Sequence, residues 1–273
     1  MNQSLPMGKI IIAGSGPGDP ELLTIKAANA LQEADIILTD RLVSEEILIR
    51  YANPKAEIIK VGKQCRRGIS TPQNSINQLL IEHALQGKKV VRLKGGDVSI
   101  FSNILDELLY IKEHNIPFEI IPGITAALGA AAYAGIPLTA RNYSTAVRLL
   151  TFYKSTVVSN DYWKELAATN DTLVFYMSSE TLDDVVQHLI NHNIATDTHL
   201  AVIEQATTPY QQVYISNIYD YQDNLKNKEF LSPSLIIIGK VVTLHQEFSW
   251  FKTNIIKDYY FKPLTKSSAT LQQ

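Results

Sequence analysis

Cysteine is nearly absent: Cys65 is the one thiol in 273 residues. A single thiol excludes an intramolecular disulfide and a cysteine-rich metal site, and it suits a reducing compartment such as the cytoplasm. No apolar run reaches the roughly 18 residues needed to span a bilayer, so no membrane partner is expected. The N-terminus lacks a basic segment followed by an apolar stretch, and no signal peptide is expected. Charge is also sparse: 19% of residues are charged, and the net charge is −2. A nucleic-acid partner held by bulk positive charge is therefore not expected, although a local basic patch remains open. The histidines show no metal-ligand spacing beyond His188 and His192, an i, i+4 pair with no acid placed as a third ligand. That pair reads as surface, and no metal is expected. Serine nucleophile elbows and cysteine–histidine pairs are missing as well.

What the chain has is alternation. Hydrophobic residues make up 45% of it, enough for a large core in one or two domains. Strand signals at Lys9–Ala13, Ile36–Leu38, Glu57–Val61, Lys89–Leu93 and Phe118–Ile121 alternate with helical patterns at Glu21–Ala34, Ser44–Tyr51, Asn74–Gln86, Asn103–His114 and Thr125–Ala134. Such alternation implies an α/β fold with a mostly parallel sheet. Gly135-Ile136-Pro137-Leu138-Thr139 interrupts it. We place a domain boundary there, giving an N-terminal domain over 1–136 and a C-terminal domain over 137–252. Apolar runs at Val147–Phe152, Thr172–Met177, His199–Ile203, Gln212–Ile215 and Ser234–Ile238, with a helix at Thr181–Ile190, make the second domain α/β or α+β. The polar tail over 253–273 is expected to be mobile.

Three glycine loops sit where strands end. Val91-Arg92-Leu93-Lys94-Gly95-Gly96-Asp97 is an apolar strand that stops at paired glycines and an acid. Paired glycines let a ligand approach the backbone with no Cβ in the way. The carboxyl edge of an open α/β sheet is where such folds bind ligands. Gly14-Ser15-Gly16-Pro17-Gly18-Asp19-Pro20 follows the first strand. It is neither a dinucleotide fingerprint, since Asp19 stands where the third glycine belongs, nor a phosphate loop, since no Gly-Lys-Ser/Thr follows. Pro17 removes a donor, so this loop is a shaped wall. Equally, it is a tight turn with Asp19 capping a helix that starts near Glu21. Ile121-Pro122-Gly123-Ile124-Thr125-Ala126-Ala127 is the third loop, in which Thr125 either caps the next helix or offers a hydroxyl. Lys60, Lys63, Arg66 and Arg67 cluster around Gly62 and Gly68. They form either a solvated loop or a seat for a polyanionic substrate. Asp40-Arg41 follows the second strand.

These residues resemble a family. The three loops, with Asp40-Arg41-Leu42-Val43-Ser44, Val61-Gly62-Lys63, Ala132-Tyr133-Ala134-Gly135-Ile136-Pro137-Leu138-Thr139, Leu173-Val174-Phe175-Tyr176-Met177, Ile203-Glu204-Gln205-Ala206-Thr207-Thr208-Pro209 and Leu235-Ile236-Ile237-Ile238-Gly239, are similar to uroporphyrinogen-III C-methyltransferases of the tetrapyrrole methylase superfamily. The match runs in order over about residues 8 to 251. It favours this member over diphthine synthase or the ribosomal-RNA methylases. The resemblance implies a two-domain α/β fold with a mixed second sheet, a cleft for S-adenosyl-L-methionine, S-adenosyl-L-homocysteine as product, and a homodimer. It implies methylation of two ring carbons of uroporphyrinogen III to give precorrin-2, the branch point to sirohaem and cobalamin. Carried over by motif, donor contacts are Pro17, Gly95, Gly96, Asp97, Ile100, Thr125, Ala126, Met177 and Ala206. The implied acid–base residues are Asp40 and Lys63. Arg41, Arg66, Arg67 and Arg141 are matched to the acceptor's carboxylates.

The chain departs from the family pattern at three places. Val98-Ser99-Ile100-Phe101-Ser102-Asn103-Ile104-Leu105-Asp106-Glu107 replaces Pro, two apolar residues, Phe and Gly-Arg-Gly-Gly-Glu-Glu. Ala140-Arg141 replaces His-Arg, and Thr151-Phe152-Tyr153 replaces Thr-Gly-His. The donor loops are nearly intact, so the departures bear on the acceptor. They leave open a different tetrapyrrole or other acceptor, and a donor-binding homologue with little turnover.

Overall fold

The computed structural model describes residues 7–61, 72–153, 158–253 and 258–262, and the backbone alone of 63–64 and 69–70. The chain forms two compact units: one runs to Thr125 and takes in the returning segment from Tyr259, and the other is Ala126–Asp258. The division precedes the Gly135–Thr139 break expected from sequence. Helix-forming Ala126–Ala134 therefore belongs to the second unit.

The first unit runs β1 (Lys9–Gly14), α1 (Ile25–Gln32), β2 (Ile36–Thr39), α2 (Glu45–Tyr51), β3 (Glu57–Lys60), β4 (Lys63–Gln64), β5 (Ile69–Ser70), α3 (Gln73–Leu85), β6 (Lys89–Lys94), α4 (Ile104–Glu113) and β7 (Phe118–Ile121). Five strands form one parallel sheet in the order β3-β2-β6-β1-β7. Side chains alternate across it. Ile10, Ile12, Leu38 and Val90 pack with Ile76 and Leu80 of α3 and Ile111 of α4. Ala13, Ile37, Val91 and Leu93 pack with Ala27 and Leu31 of α1 and Ile47 of α2. The sheet is thus buried on both faces, and its strands read as continuous apolar runs.

The helix expected from Glu21 is two pieces. Asp19 Oδ1 accepts the Glu21 N–H at 2.8 Å and caps only a 3₁₀ turn, Pro20–Leu22. Thr24 Oγ1 then accepts the Ala27 N–H at 3.2 Å and starts α1 afresh. Thr24 is extended, at φ −68° and ψ 144°, so one continuous helix cannot form through it.

The second unit runs α5 (Ala126–Ala134), β8 (Val147–Thr151), α6 (Asn160–Ala168), β9 (Thr172–Tyr176), α7 (Leu182–Asn191), β10 (His199–Glu204), β11 (Gln212–Asn217), α8 (Tyr221–Asn224), β12 (Ser234–Gly239) and α9 (His245–Phe248). Its sheet has the order β11-β10-β12-β9-β8 and is mixed: β8 and β9 are parallel, the other pairs antiparallel. Leu173, Phe175, Val202 and Ile236 form one core with Trp163 of α6 and Val185 and Leu189 of α7. His188, expected on the surface, is half-buried with its ring stacked on Trp163 at 4.6 Å and 9°. His192 caps the end of α7, its Nδ1 2.7 Å from the His188 carbonyl oxygen. Of the tail over 253–273, residues 253 and 258–262 are described, and Phe261 is 3% exposed in the first unit. No helix among the described residues is long and apolar enough to cross a membrane.

Trp163→Ala removes the largest fully buried side chain of the second core. Its cost is about 3–5 kcal/mol by urea unfolding, against under ~0.5 kcal/mol for an exposed control such as Lys164→Ala.

Candidate active site

Parallel order brings the loops after β1, β2, β6 and β7 to one edge of the first sheet. There three backbones meet with no room for side chains. A Cβ on Gly14 would lie 2.6 Å from the Gly96 carbonyl oxygen and 2.7 Å from the Gly123 nitrogen. One on Gly123 would lie 2.3 Å from the same Gly96 oxygen. Gly16 and Gly96 exchange backbone hydrogen bonds of 3.1 and 2.8 Å, at φ +80° and +69°. L side chains rarely adopt these angles, which explains glycine at both positions. Gly95 abuts the loop after β2, where its Cβ would sit 2.9 Å from Leu42 Cβ.

Asp97 ties these loops together. One carboxylate oxygen accepts the Ser99 N–H at 2.8 Å and the Ser99 hydroxyl, and the other accepts the Gly123 N–H at 2.8 Å. Burial raises its pKa, but hydrogen bonds from the Ser99 hydroxyl and the Gly123, Ser99 and Val98 N–H groups outweigh burial and hold it below the usual carboxylate range.

A buried charge network lies beneath. Val90, Arg92 and Lys94 share one face of β6, and Glu107 takes the core face of α4 beside Ile111. Arg92 Nε donates to Glu107 at 2.9 Å, and its Nη2 donates to Asp40 at 2.5 Å. Lys94 Nζ reaches the second Glu107 oxygen at 2.8 Å. The Arg92, Lys94 and Glu107 side chains are 3%, 6% and 0% exposed, whereas Asp40 is 30% exposed. Two cations face two anions, so the network is neutral as a whole. Burial lowers the Arg92 pKa, but Asp40 and Glu107 more than compensate and hold it above its ordinary value. Burial and the Arg92 charge hold the Lys94 ammonium below its own, despite Glu107. Asp40 is thus the exposed end of a buried ion network.

In the second unit, β9 and β10 both run antiparallel to β12, so their carboxyl ends share one sheet edge. Met177 follows β9 there, half-exposed, with the Tyr153 hydroxyl 3.1 Å from its sulfur. Ala206 follows β10 and is buried. Tyr176 Oη accepts the Ala127 N–H at 3.1 Å, in the first turn of α5 after Ala126. Among the described residues, eight non-glycine residues have left-handed φ. Asn115 and Asn193 close helices, and Asn142 lies in the turn beside Arg141. Of the other five, Met177, Gln205 and Thr207 lie in matched segments, and Phe101 and Asn103 lie in the departing loop after β6. Such strain concentrates at functional sites.

The structure therefore brings Pro17, Asp40, Arg41, Gly95, Gly96, Asp97, Ile100 and Thr125 to the carboxyl edge of the first sheet, with Arg41 bonded to the Phe261 carbonyl. It puts Met177 and Ala206 at one edge of the second sheet, and Arg141 on an exposed turn, Ala140–Ser144. The Lys63 side chain and all of Arg66 and Arg67 lie outside the described residues. Sequence reasoning missed Arg92, Lys94 and Glu107. Charges at alternate positions of an apolar strand were the available signal.

Residues 9–222 match the family of Tetrapyrrole (Corrin/Porphyrin) Methylases. The chain is a tetrapyrrole methylase. It is 44% identical over 245 residues to the siroheme synthase of Saccharophagus degradans, covering 90% of this chain and 53% of that protein. The chain spans about half the length of the curated relatives it matches. A cobalt precorrin-4 methyltransferase aligns with TM-score 0.76 at 27% identity, covering 86% of this chain and 95% of that one. The uroporphyrin-III C-methyltransferase of Thermus thermophilus, solved with S-adenyl homocysteine, aligns with TM-score 0.71 at 31% identity, covering 86% and 93%. Within this methylase the α/β architecture is as expected, with a parallel five-stranded sheet in the first unit and a mixed one in the second.

Two outcomes follow for this edge of the first sheet. Asp97 has a lowered folded-state pKa, so its stabilisation is present above the unfolded value near ~3.9 and lost as pH falls through the folded value. Asp97→Asn is destabilised at neutral pH, and the gap to wild type closes as pH falls below about 4. A gap that persists unchanged to about pH 2 in pH-resolved unfolding contradicts this. Glu107→Ala strands the buried Lys94 ammonium, leaves Arg92 with Asp40 alone, and costs about 3–5 kcal/mol in urea unfolding, whereas loss of an exposed pair costs under about 1.

Proposed function

We propose that this methylase transfers methyl groups from S-adenosyl-L-methionine to ring carbons of uroporphyrinogen III, the step toward sirohaem and cobalamin. One observation carries the reading: the Gly14–Gly96–Gly123 contact, where a Cβ on Gly14 or Gly123 would strike the Gly96 carbonyl oxygen and Gly96 itself holds φ +69°. It supports a donor that lies against bare backbone, and the loops lack the Gly-Lys-Ser/Thr that a phosphate requires. A sulfonium donor has no phosphate to hold. The Thermus thermophilus relative's complex with S-adenyl homocysteine supports the same donor here. The proposed donor contacts are Pro17, Gly95, Gly96, Asp97, Ile100, Thr125 and, from the second unit, Ala126, Met177 and Ala206. The donor supplies an electrophilic methyl group, which an electron-rich pyrrole carbon attacks in line. The protein's part is alignment and proximity.

Asp40 is the proposed proton acceptor, its position set by Arg92 and its exposed face open to substrate. Lys63 is proposed as its acid–base partner. Arg41, Arg66, Arg67 and Arg141 are proposed to pair with the acceptor's carboxylates, since guanidinium and carboxylate match bidentately. The same reading includes a homodimer, which sedimentation at micromolar protein tests.

A second reading, a different tetrapyrrole acceptor, rests on the loop after β6. Leu105 is 63% exposed and Phe101 42% exposed where the family pattern has Gly and Phe around an Arg. Asn103 takes that Arg position at φ +54°.

The test is methyl transfer from labelled donor to anaerobic uroporphyrinogen III. The expected result is two methyl groups per acceptor, abolished by Asp97→Ala, with donor binding and no transfer contradicting the acceptor. Restoring the cation by Asn103→Arg raises kcat/KM by about tenfold, the scale of one charge-assisted hydrogen bond. An unchanged kcat/KM removes this loop from acceptor recognition.

A further inference from the structure

The returning segment lands on the loop after β2. Tyr260 Oη lies 2.6 Å from Ser44 Oγ, and Arg41 Nη1 donates to the Phe261 carbonyl at 3.5 Å. Phe261 is 3% exposed, and its ring stands edge-on to Tyr260 at 5.1 Å. Ser44 occupies the N-cap of α2 but makes no side-chain cap bond. Serine is favoured there because its oxygen accepts the first helical N–H groups. Here its hydroxyl is turned to Tyr260. Burial holds the Tyr260 hydroxyl above the usual phenol range, against the Ser44 bond, so it stays protonated.

The same loop bears on the methylase site from its other side. The Asp40 N–H donates to the Leu93 carbonyl at 3.2 Å, its carboxylate meets Arg92, and Leu42 packs on Gly95. The gripped residues, Arg41 and Ser44, therefore flank the residue that touches the glycine wall.

We infer that Tyr260 and Phe261 are positioning residues: they clamp the Asp40–Ser44 loop and thereby set Arg41 for an anionic acceptor. The acceptor half rests on the function proposed above, and the clamp does not. A tail segment that merely trailed the fold would bury no phenylalanine and would leave the Ser44 hydroxyl to its helix.

The experiment uses the full chain and the variants Tyr260→Phe, Tyr260→Ala and Ser44→Ala. Hydrogen exchange is read at Leu42–Ile47, and acceptor KM, kcat and S-adenosyl-L-homocysteine affinity are measured alongside. Tyr260→Phe keeps the ring and removes one hydrogen bond, so it tests the clamp even where Tyr260→Ala fails to fold. The expected result is faster exchange at these amides in both Tyr260 variants, with β9 and β12 amides unchanged. Acceptor KM rises by about tenfold, homocysteine-product affinity stays within about twofold, and Ser44→Ala with Tyr260→Phe is no worse than either alone. Unchanged exchange in Tyr260→Ala overturns the clamp. Faster exchange with unchanged acceptor KM overturns its role in positioning. Should the wild-type chain transfer no methyl group to uroporphyrinogen III, the acceptor reading falls, and exchange alone decides the clamp.

Discussion

The carboxyl edge of the first sheet depends on backbone meeting backbone. Gly14, Gly96 and Gly123 come from three different strand ends, and each leaves too little space for a neighbour's Cβ. Overpacking of such a contact cannot be relieved by a rotamer change, because the clashing atoms are main chain. Asp97 turns the contact into a fixed frame by hydrogen-bonding across it from β6 to the loop after β7. A surface assembled from peptide groups has a shape set by the fold itself. Such rigidity suits a reaction in which alignment does most of the catalytic work.

The buried network extends that frame toward chemistry. Arg92, Lys94 and Glu107 hold an ionic core inside an otherwise apolar layer, a costly arrangement unless every charge is met. Here each one is, and the network surfaces only at Asp40. A carboxylate presented this way has its orientation set from behind and its outer side exposed. Tyr260 and Phe261 bond to the adjoining Ser44 and Arg41, so the loop after β2 is met by the sheet and by the returning segment.

The architecture was legible in the sequence because strand and helix periods alternate cleanly up to Ala134. The strand ends carry glycine, and the parallel order then puts those glycines at one edge without further assumptions. Local chemistry was harder to read. Asp19 and Thr24 are both good caps, and sequence alone did not show that the chain uses them in succession. Glu107 sits on a helix whose apolar pattern is complete without it, so its burial emerges only when β6 supplies Arg92 and Lys94. His188 was read as surface from its spacing to His192, whereas Trp163, far along the chain, covers it. Phe261 lies in a polar tail that composition marks as mobile; it is buried, and its carbonyl accepts a hydrogen bond from Arg41, more than 200 residues earlier. For Glu107 and His188 the deciding contact comes from another element of the chain.

The central claim is that the glycine wall and Asp97 form the donor's seat. A crystal structure of the chain with S-adenosyl-L-homocysteine tests it most directly. The account predicts ligand against Gly95, Gly96 and Asp97, with the Gly16–Gly96 and Asp97–Gly123 hydrogen bonds intact. Ligand seated elsewhere, or bound only after those bonds have opened, would contradict it.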